Sequence, residues 1–206
     1  MDEEFWNERY RSSSALWSAN PNSELVREAS DLVPGSALDI GCGEGADTIW
    51  LAERGWRVTA VDFSTVALER GAARAHSLGA EVADRIEWRH ENLTAWVPPE
   101  ATYDLVSAQF MHLPRAERES LFSRLAASVA PGGHLLIVGH HPSDLQTTAR
   151  RPSLPGLLYT ASDVAAGLDP LAWKIVVSAS RERTTTDPGG RTVNINDTVL
   201  RARRQA

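Results

Sequence analysis

The residues Leu38-Asp39-Ile40-Gly41-Cys42-Gly43-Glu44-Gly45-Ala46 form a short apolar run that ends in a cluster of glycines. A strand that turns through glycines into a helix presents bare backbone N–H groups, and the missing Cβ atoms let a ligand come close. Gly41-x-Gly43-x-x-Ala46 satisfies the G-x-G-x-x-G/A spacing of a dinucleotide site, and Asp62 stands roughly 20 residues on, where a carboxylate can meet a ribose. The spacing alone is unspecific, and charge narrows it. A pyrophosphate dianion would meet Asp39 and Glu44 at this loop, with no Lys or Arg inside it. A ligand with positive charge at that end suits those carboxylates better. S-Adenosylmethionine has a sulfonium, an α-ammonium, a ribose and an adenine but no phosphate, and its carboxylate can use the helix N-terminus. The plainer alternative is that Asp39 closes a strand and Glu44 opens a helix, with no ligand role for either.

A second set of residues could handle protons. Gln109, Phe110, Met111 and His112 follow one strand signal, and His140 and His141 follow another. Histidine titrates near neutral pH, so His141, His140 or His112 could act as a general base. The competing expectation is that strand-end histidines simply bond to loop backbone. His76, His90 and His134 read as surface or structural, and the absence of a third ligand near the histidine pair argues against a metal site. Arg150 and Arg151 could meet an anion, but adjacent arginines in a Pro-rich loop read as solvated. Leu154, Leu157, Leu158 and Tyr159 suggest that part of this loop folds onto an apolar acceptor pocket.

Alternating strand and helix signals must position these groups, which is the pattern of an α/β protein with a parallel sheet covered on both faces. Strands are expected at Ala37–Ile40, Arg57–Val61, Arg85–Arg89, Tyr103–Ala108 and Leu135–Val138. Helices are expected over Ala46–Arg54, from a Ser64 cap to Leu78, and from Pro114 through Leu121, Leu125 and Val129 to a break at Pro131-Gly132-Gly133. A short helix follows a cap at Thr160 or Ser162. Lys174–Ser180 and Thr192–Leu200 read as two strands joined through Asp187-Pro188-Gly189-Gly190, an antiparallel hairpin closing a mostly parallel, seven-stranded sheet. Two segments differ in character. Residues 1–24 carry Phe5, Trp6, Tyr10 and Trp17 and read as a short helix plus an irregular aromatic arm. Residues 142–160 form a long loop of the length that lids use. Trp50, Trp56, Trp88 and Trp173 read as core.

With 206 residues, one domain spanning 1–206 is expected. Hydrophobic residues make up 42% and charged residues 23%, which excludes disordered and fibrous classes. Against 27 acidic residues stand 21 basic ones, a net charge of −6 that speaks against sequence-independent nucleic-acid binding. One cysteine, Cys42, cannot form an internal disulfide, and the acidic start Met1-Asp2-Glu3-Glu4 does not read as a signal peptide, so a cytoplasmic protein is expected. The longest apolar run is far too short for a membrane span, and the oligomeric state is open.

The ordered set Leu38-Asp39-Ile40-Gly41-Cys42-Gly43-Glu44-Gly45, Val58-Thr59-Ala60-Val61-Asp62-Phe63-Ser64, Tyr103-Asp104-Leu105-Val106 and Leu121…Val129-Ala130-Pro131-Gly132-Gly133-His134-Leu135-Leu136-Ile137 resembles the class I, Rossmann-like S-adenosylmethionine-dependent methyltransferases. The aromatic arm resembles their small-molecule branch, which includes thiopurine and tellurite-resistance methyltransferases. The resemblance implies a three-layer Rossmann-like sandwich and methyl transfer from S-adenosylmethionine, leaving S-adenosylhomocysteine, to a small-molecule acceptor. It places Gly41, Cys42, Gly43 and Gly45 beneath the methionine part of the cofactor, Asp39 near its ammonium, Asp62 on the ribose hydroxyls and Phe63 on the adenine. Asn92, with Leu93 beside it, takes the place of an acidic residue that usually meets the adenine amino group. Gln109 falls beside the methionine moiety, while Trp6, Tyr10 and Trp17 cover the cofactor. The Asn/Asp-Pro-Pro-aromatic motif of nucleic-acid amino-methyltransferases is replaced by Ser107-Ala108-Gln109-Phe110. Two other functions use the same loop: a nicotinamide-dependent oxidoreductase, and a non-catalytic S-adenosylmethionine-binding module.

Overall fold

The structure, a computed structural model, describes residues 3–13, 18–151 and 156–206. The elements in chain order are α1 (Glu3–Arg11), α2 (Ser23–Ala29), β1 (Ser36–Ile40), α3 (Ala46–Glu53), β2 (Arg57–Asp62), α4 (Thr65–Leu78), α5 (Ala80–Ala83), β3 (Ile86–His90), β4 (Tyr103–Gln109), α6 (Arg115–Ser128), β5 (Val129–His140), α7 (Ala161–Ala165), β6 (Trp173–Thr186) and β7 (Thr192–Arg204). The seven strands form one sheet in the order β3-β2-β1-β4-β5-β7-β6. The first five pair in parallel, and β7 runs antiparallel to both β5 and β6. Strand order reverses between β1 and β4, so their carboxyl ends open the crevice in which α/β sheets bind ligands.

Both sheet faces are buried, as an uninterrupted apolar strand requires. Along β5 the side chains alternate between the two sides. Leu135 and Ile137 join Leu121 and Leu125 of α6 and Val164 of α7, whereas Leu136 and Val138 join Leu25 of α2 and Leu51 of α3. Trp56, Trp50 and Trp173 are core residues as expected. Trp88 is half-buried, its ring wedged against Gly45 and Gly71.

Three boundaries depart from the sequence reading. The helix α6 stops at Ser128, and Val129 begins a twelve-residue β5 that runs through Pro131-Gly132-Gly133. A register shift at Tyr103/Leu105 absorbs that segment, and Gly133 is required where a Cβ would come within 3.0 Å of the Asp104 carbonyl oxygen. The hairpin strands are longer than hydrophobicity suggests, because the outer half of β6 is an exposed edge of alternating Arg, Glu and Thr. The helix α2, absent from the sequence reading, is held by charge: Arg181 of β6 meets both Glu24 and Glu28, and Arg201 of β7 meets Glu28 at 3.2 Å.

The described part of the 142–160 loop is fastened down. A 3₁₀ turn, Pro142–Gln146, buries Asp144 completely, and Asp144 accepts from the Asn196 N–H at 2.7 Å and from Arg151 Nε at 2.8 Å. Arg151 is thus not solvated as its loop composition suggests. Leu157, Leu158 and Tyr159 are buried, and Thr198 donates to the Tyr159 carbonyl at 2.6 Å. Leu154 lies outside the described residues. Among the described residues, no helix is long and apolar enough to cross a membrane.

Candidate functional site

Register brings the site together. Ile40 lies beside Val61 and Ala108, Asp62 beside His90, Gln109 beside Val138, and His140 beside Asp197. The carboxyl ends of five neighbouring strands therefore form one rim, with the loop after β1 at its centre.

That loop is built on left-handed glycines, Gly41, Gly43 and Gly45, with φ of 68°, 54° and 77°. Only glycine takes such angles in series without strain. The N–H groups of Gly41 and Cys42 both reach the Val61 carbonyl, at 2.8 and 3.1 Å. A Cβ on Gly45 would sit 2.4 Å from the Trp88 ring, and one on Gly41 would sit 2.5 Å from Met111 Sδ. These two glycines thus answer to packing as well as to ligand approach. Burial pushes the Cys42 thiol up, so this cysteine is a packed neutral group.

Three carboxylates gather beneath the loop. Asp62 accepts from the N–H groups of Gly43 and Ser64, each at 2.9 Å, and burial raises its pKa despite those bonds. Asp39 accepts from Thr48 Oγ at 2.5 Å, and burial, with Asp47 and then Asp62 nearby, lifts it to about 8. Asp47 takes both the backbone and the side-chain N–H of Asn22, at 2.6 and 2.8 Å, and burial raises it too. Glu44 differs from its sequence reading as a bare acid, since it pairs with Arg70 at 3.0 Å. Gln109 donates to Ser107 Oγ at 2.9 Å, which leaves its own Oε1 buried with no hydrogen-bond partner. Buried carboxylates short of cations, with an orphaned amide oxygen, are what a ligand bearing an ammonium and hydroxyl donors completes. The residues present therefore fit S-adenosylmethionine.

The edge around Phe63 and Asn92 is less simply arranged. Phe63 is half-buried, and its carbonyl accepts from His90 Nε2 at 3.0 Å. Asn92 is exposed, and its Oδ1 accepts from both the N–H and the hydroxyl of Thr94, at 3.0 and 2.8 Å, in a local turn anchored by buried Leu93. The Asn92 oxygen is thus engaged within its own turn. The helix α1 lies beside this edge: Ser64 Oγ donates to Asn7 at 2.7 Å, and Glu3 lies 3.2 Å from His90. Tyr10 is buried, Trp6 half-buried, and their rings lie 6.3 Å apart. Trp17 lies outside the described residues. Arg70 and Arg74 of α4 donate to the Ser13 and Ala19 carbonyls, at 2.9 and 2.8 Å.

The histidines meet above β4 and β5. Phe110 has a φ of 56°, rare for an aromatic residue and of the kind found where structure re-aims a side chain. The rings of His112 and His140 stack at 4.7 Å with planes 13° apart, and Phe110 lies 4.8 Å from His140. Burial first, with the charge on His140 second, drives His112 to about 3; its Nε2 accepts from the His140 N–H at 3.1 Å. His112 is a neutral acceptor whose lone pair is occupied. His141 caps the 3₁₀ turn, Nδ1 accepting from the Ser143 N–H at 3.2 Å. His140 is lowered mainly by burial, and Asp197 partly offsets this. Its Nδ1 faces Asp197 at 3.9 Å, an ion-pair distance too long for a hydrogen bond, and is otherwise without a partner. Burial pushes Asp197 up, but His140 and a two-bond pairing with Arg183, at 2.5 and 3.1 Å, hold it below the usual carboxylate range. Tyr159 is buried under the Arg118 guanidinium, which lies 4.7 Å from its ring.

Sequence reasoning missed Thr48, Asp47, Arg70, Asp144 and Asp197. Only Asp197 carries a local signal, a carboxylate inside the strand run expected over Thr192–Leu200. Among the described residues no three His, Cys, Asp or Glu side chains are grouped to hold a metal ion. A cavity of about 60 Å³ is lined by Arg118, Phe122, Leu135 and Val164, and no residue lining it belongs to the glycine loop or to the histidine pair.

A doubly wound sheet with a glycine turn and buried carboxylates at the switch point defines a protein of Rossmann-like build. The chain belongs to the class I S-adenosylmethionine-dependent methyltransferases. Residues 37–133 match the family described as "Methyltransferase domain". An uncharacterised methyltransferase of Mycobacterium tuberculosis is 34% identical over 157 residues, covering 74% of this chain and 71% of that protein. Trans-aconitate 2-methyltransferase of Rhizobium meliloti is 34% identical over 120 residues, 57% of this chain; the chain spans 43% of that relative's length. Among solved structures, the N-methyltransferase NodS of Bradyrhizobium japonicum, in complex with S-adenosylhomocysteine, superposes with a TM-score of 0.72 at 20% identity, covering 100% of both chains. TehB of Haemophilus influenzae gives 0.71 at 19% identity, covering 98% of this chain and 67% of that one. These two likenesses support the fold.

Proposed function

We propose that this methyltransferase acts on a small-molecule acceptor seated over the carboxyl ends of β4 and β5, with His140 taking up the acceptor's proton. The observation that carries the reading is the His140 ring, stacked on His112 at 4.7 Å with Asp197 behind its Nδ1. S-Adenosylmethionine, when bound, supplies an electrophilic methyl group on a sulfonium. Asp39 and the Gln109 Oε1 would hold its ammonium, Asp62 its ribose, and the glycine loop its methionine chain.

The chain's own work is alignment, water exclusion and proton removal. His140, kept neutral by burial, offers Nε2 to the acceptor proton while Nδ1 stays toward Asp197. The imidazolium formed on proton uptake then has a carboxylate behind it, and Arg183 keeps that carboxylate ionised. His112 fixes the ring through stacking and through the His140 N–H. Phe110 and Tyr159 supply the apolar wall that excludes water.

Two measurements test this. Isothermal calorimetry should show S-adenosylhomocysteine binding, and isotope-labelled methyl donor incubated with small-molecule extracts should label a low-mass product. Binding without labelling across a broad panel of thiols, phenols, amines and carboxylic acids would leave only a cofactor-binding module.

A further inference from the structure

The three guanidinium nitrogens of Arg151 are in different situations. Nε donates to Asp144 at 2.8 Å and Nη1 to the Arg150 carbonyl at 2.9 Å, while Nη2 is buried with no hydrogen-bond partner. The side chain is only 9% exposed. The other Asp144 oxygen accepts the Asn196 N–H at 2.7 Å, so the carboxylate is itself anchored while Nη2 stays unpaired. The carboxylate therefore fixes the guanidinium and leaves one edge of the fork unused. Native structures leave few buried charged donors orphaned, since the missing bond carries a desolvation cost.

The position of this edge ties it to the reaction. Asp144 lies three residues after His141, its N–H bonding the His141 carbonyl at 3.0 Å, and Asn196 is the neighbour of Asp197. The Arg151 charge reaches both stacked rings, contributing to the lowered pKa of His112 and of His140.

We propose that Arg151 recognises a carboxylate on the methyl acceptor, its Nη2 edge holding that group beside His112 and His140. The inference rests on the methyltransferase reading above and adds the acceptor's chemical class. A planar carboxylate matches the guanidinium fork, one oxygen on Nη2 and the other on the free hydrogen of Nη1. Asp144 is the positioning residue that aims the fork.

The test uses the full chain loaded with S-adenosylhomocysteine and a calorimetric series of mono-, di- and tricarboxylates, each matched to its amide. At least one carboxylate should bind where its amide does not. Arg151→Gln should weaken that binding by about 10- to 100-fold, the loss expected when a charge-assisted hydrogen bond is removed. Arg151→Lys, which keeps the charge without the fork, should fall between. S-Adenosylhomocysteine affinity should be the same in all three proteins, which shows that the variants fold. Equal carboxylate affinity in wild type and Arg151→Gln, or no carboxylate binding up to about 10 mM in the loaded protein, overturns the proposal. Failure to bind S-adenosylhomocysteine at all would instead bring down the underlying reading.

Discussion

Arg70 of α4 donates to Glu44 of the glycine loop at 3.0 Å, and the same nitrogen reaches the Ser13 carbonyl at 2.9 Å. One side chain thus ties the glycine loop to Ser13, just after α1. Arg70→Ala should weaken S-adenosylhomocysteine binding by about 1 kcal/mol, roughly fivefold, and speed proteolytic cutting before α2. Calorimetry and limited proteolysis read the two effects, and no change in either would show that the tie is idle.

Asp62 is already committed to the N–H groups of Gly43 and Ser64, so it shapes the loop before any ribose arrives. Asp62→Ala should cost about 1–3 kcal/mol of cofactor binding and also lower thermal stability. Asp62→Asn, which retains one acceptor, should lose less. Unchanged affinity in Asp62→Ala would displace the ribose from this carboxylate.

Asp39 makes stability depend on pH in an unusual direction. Its proton leaves near 3.8 in the unfolded chain and near 8 in the folded one. Between those values the native state holds a proton that the unfolded state lacks, so the cofactor-free protein loses stability as pH rises. Melting temperature should fall from mildly acidic pH to about 8, and Asp39→Asn should flatten that slope. A melting curve that stays steep in the variant would assign the slope to another group.

The histidines should separate kinetically. His140→Ala should reduce turnover by about 10²- to 10⁴-fold with cofactor affinity intact. His141→Ala should mainly loosen the 3₁₀ turn that its Nδ1 caps, at a cost of about 1 kcal/mol. Because burial lowers His140, kcat/KM should level off at a pH below the ordinary histidine midpoint and stay flat through neutrality. Asp197→Asn removes the charge that supports the imidazolium, so the acidic limb should move lower still. Turnover that collapses in His141→Ala and survives in His140→Ala would reverse the assignment.

How much of this was legible beforehand depended on how local the cause was. Period-two and helical apolar spacing, the Ser64 and Thr160 caps and the left-handed glycines act over a few residues, so the strands, most helices and the glycine loop with Asp39 and Asp62 could be read directly from the chain. The helix α2 and the outer half of β6 could not, because what joins them is a charge network between residues more than 150 positions apart, Glu24 and Glu28 with Arg181. The same limit applies in the site. Composition made Glu44 and Arg151 look solvated or bare, and adjacency made His140 and His141 look equivalent. Only the folding of β7 against β5 puts Asp197 behind His140, lets Asp144 take the Asn196 N–H and hold Arg151, and leaves His141 to cap a turn. Spacing along a chain dictates which groups share an element. Which charges share a low-dielectric interior depends on partners contributed by distant segments, and the tertiary structure alone decides it.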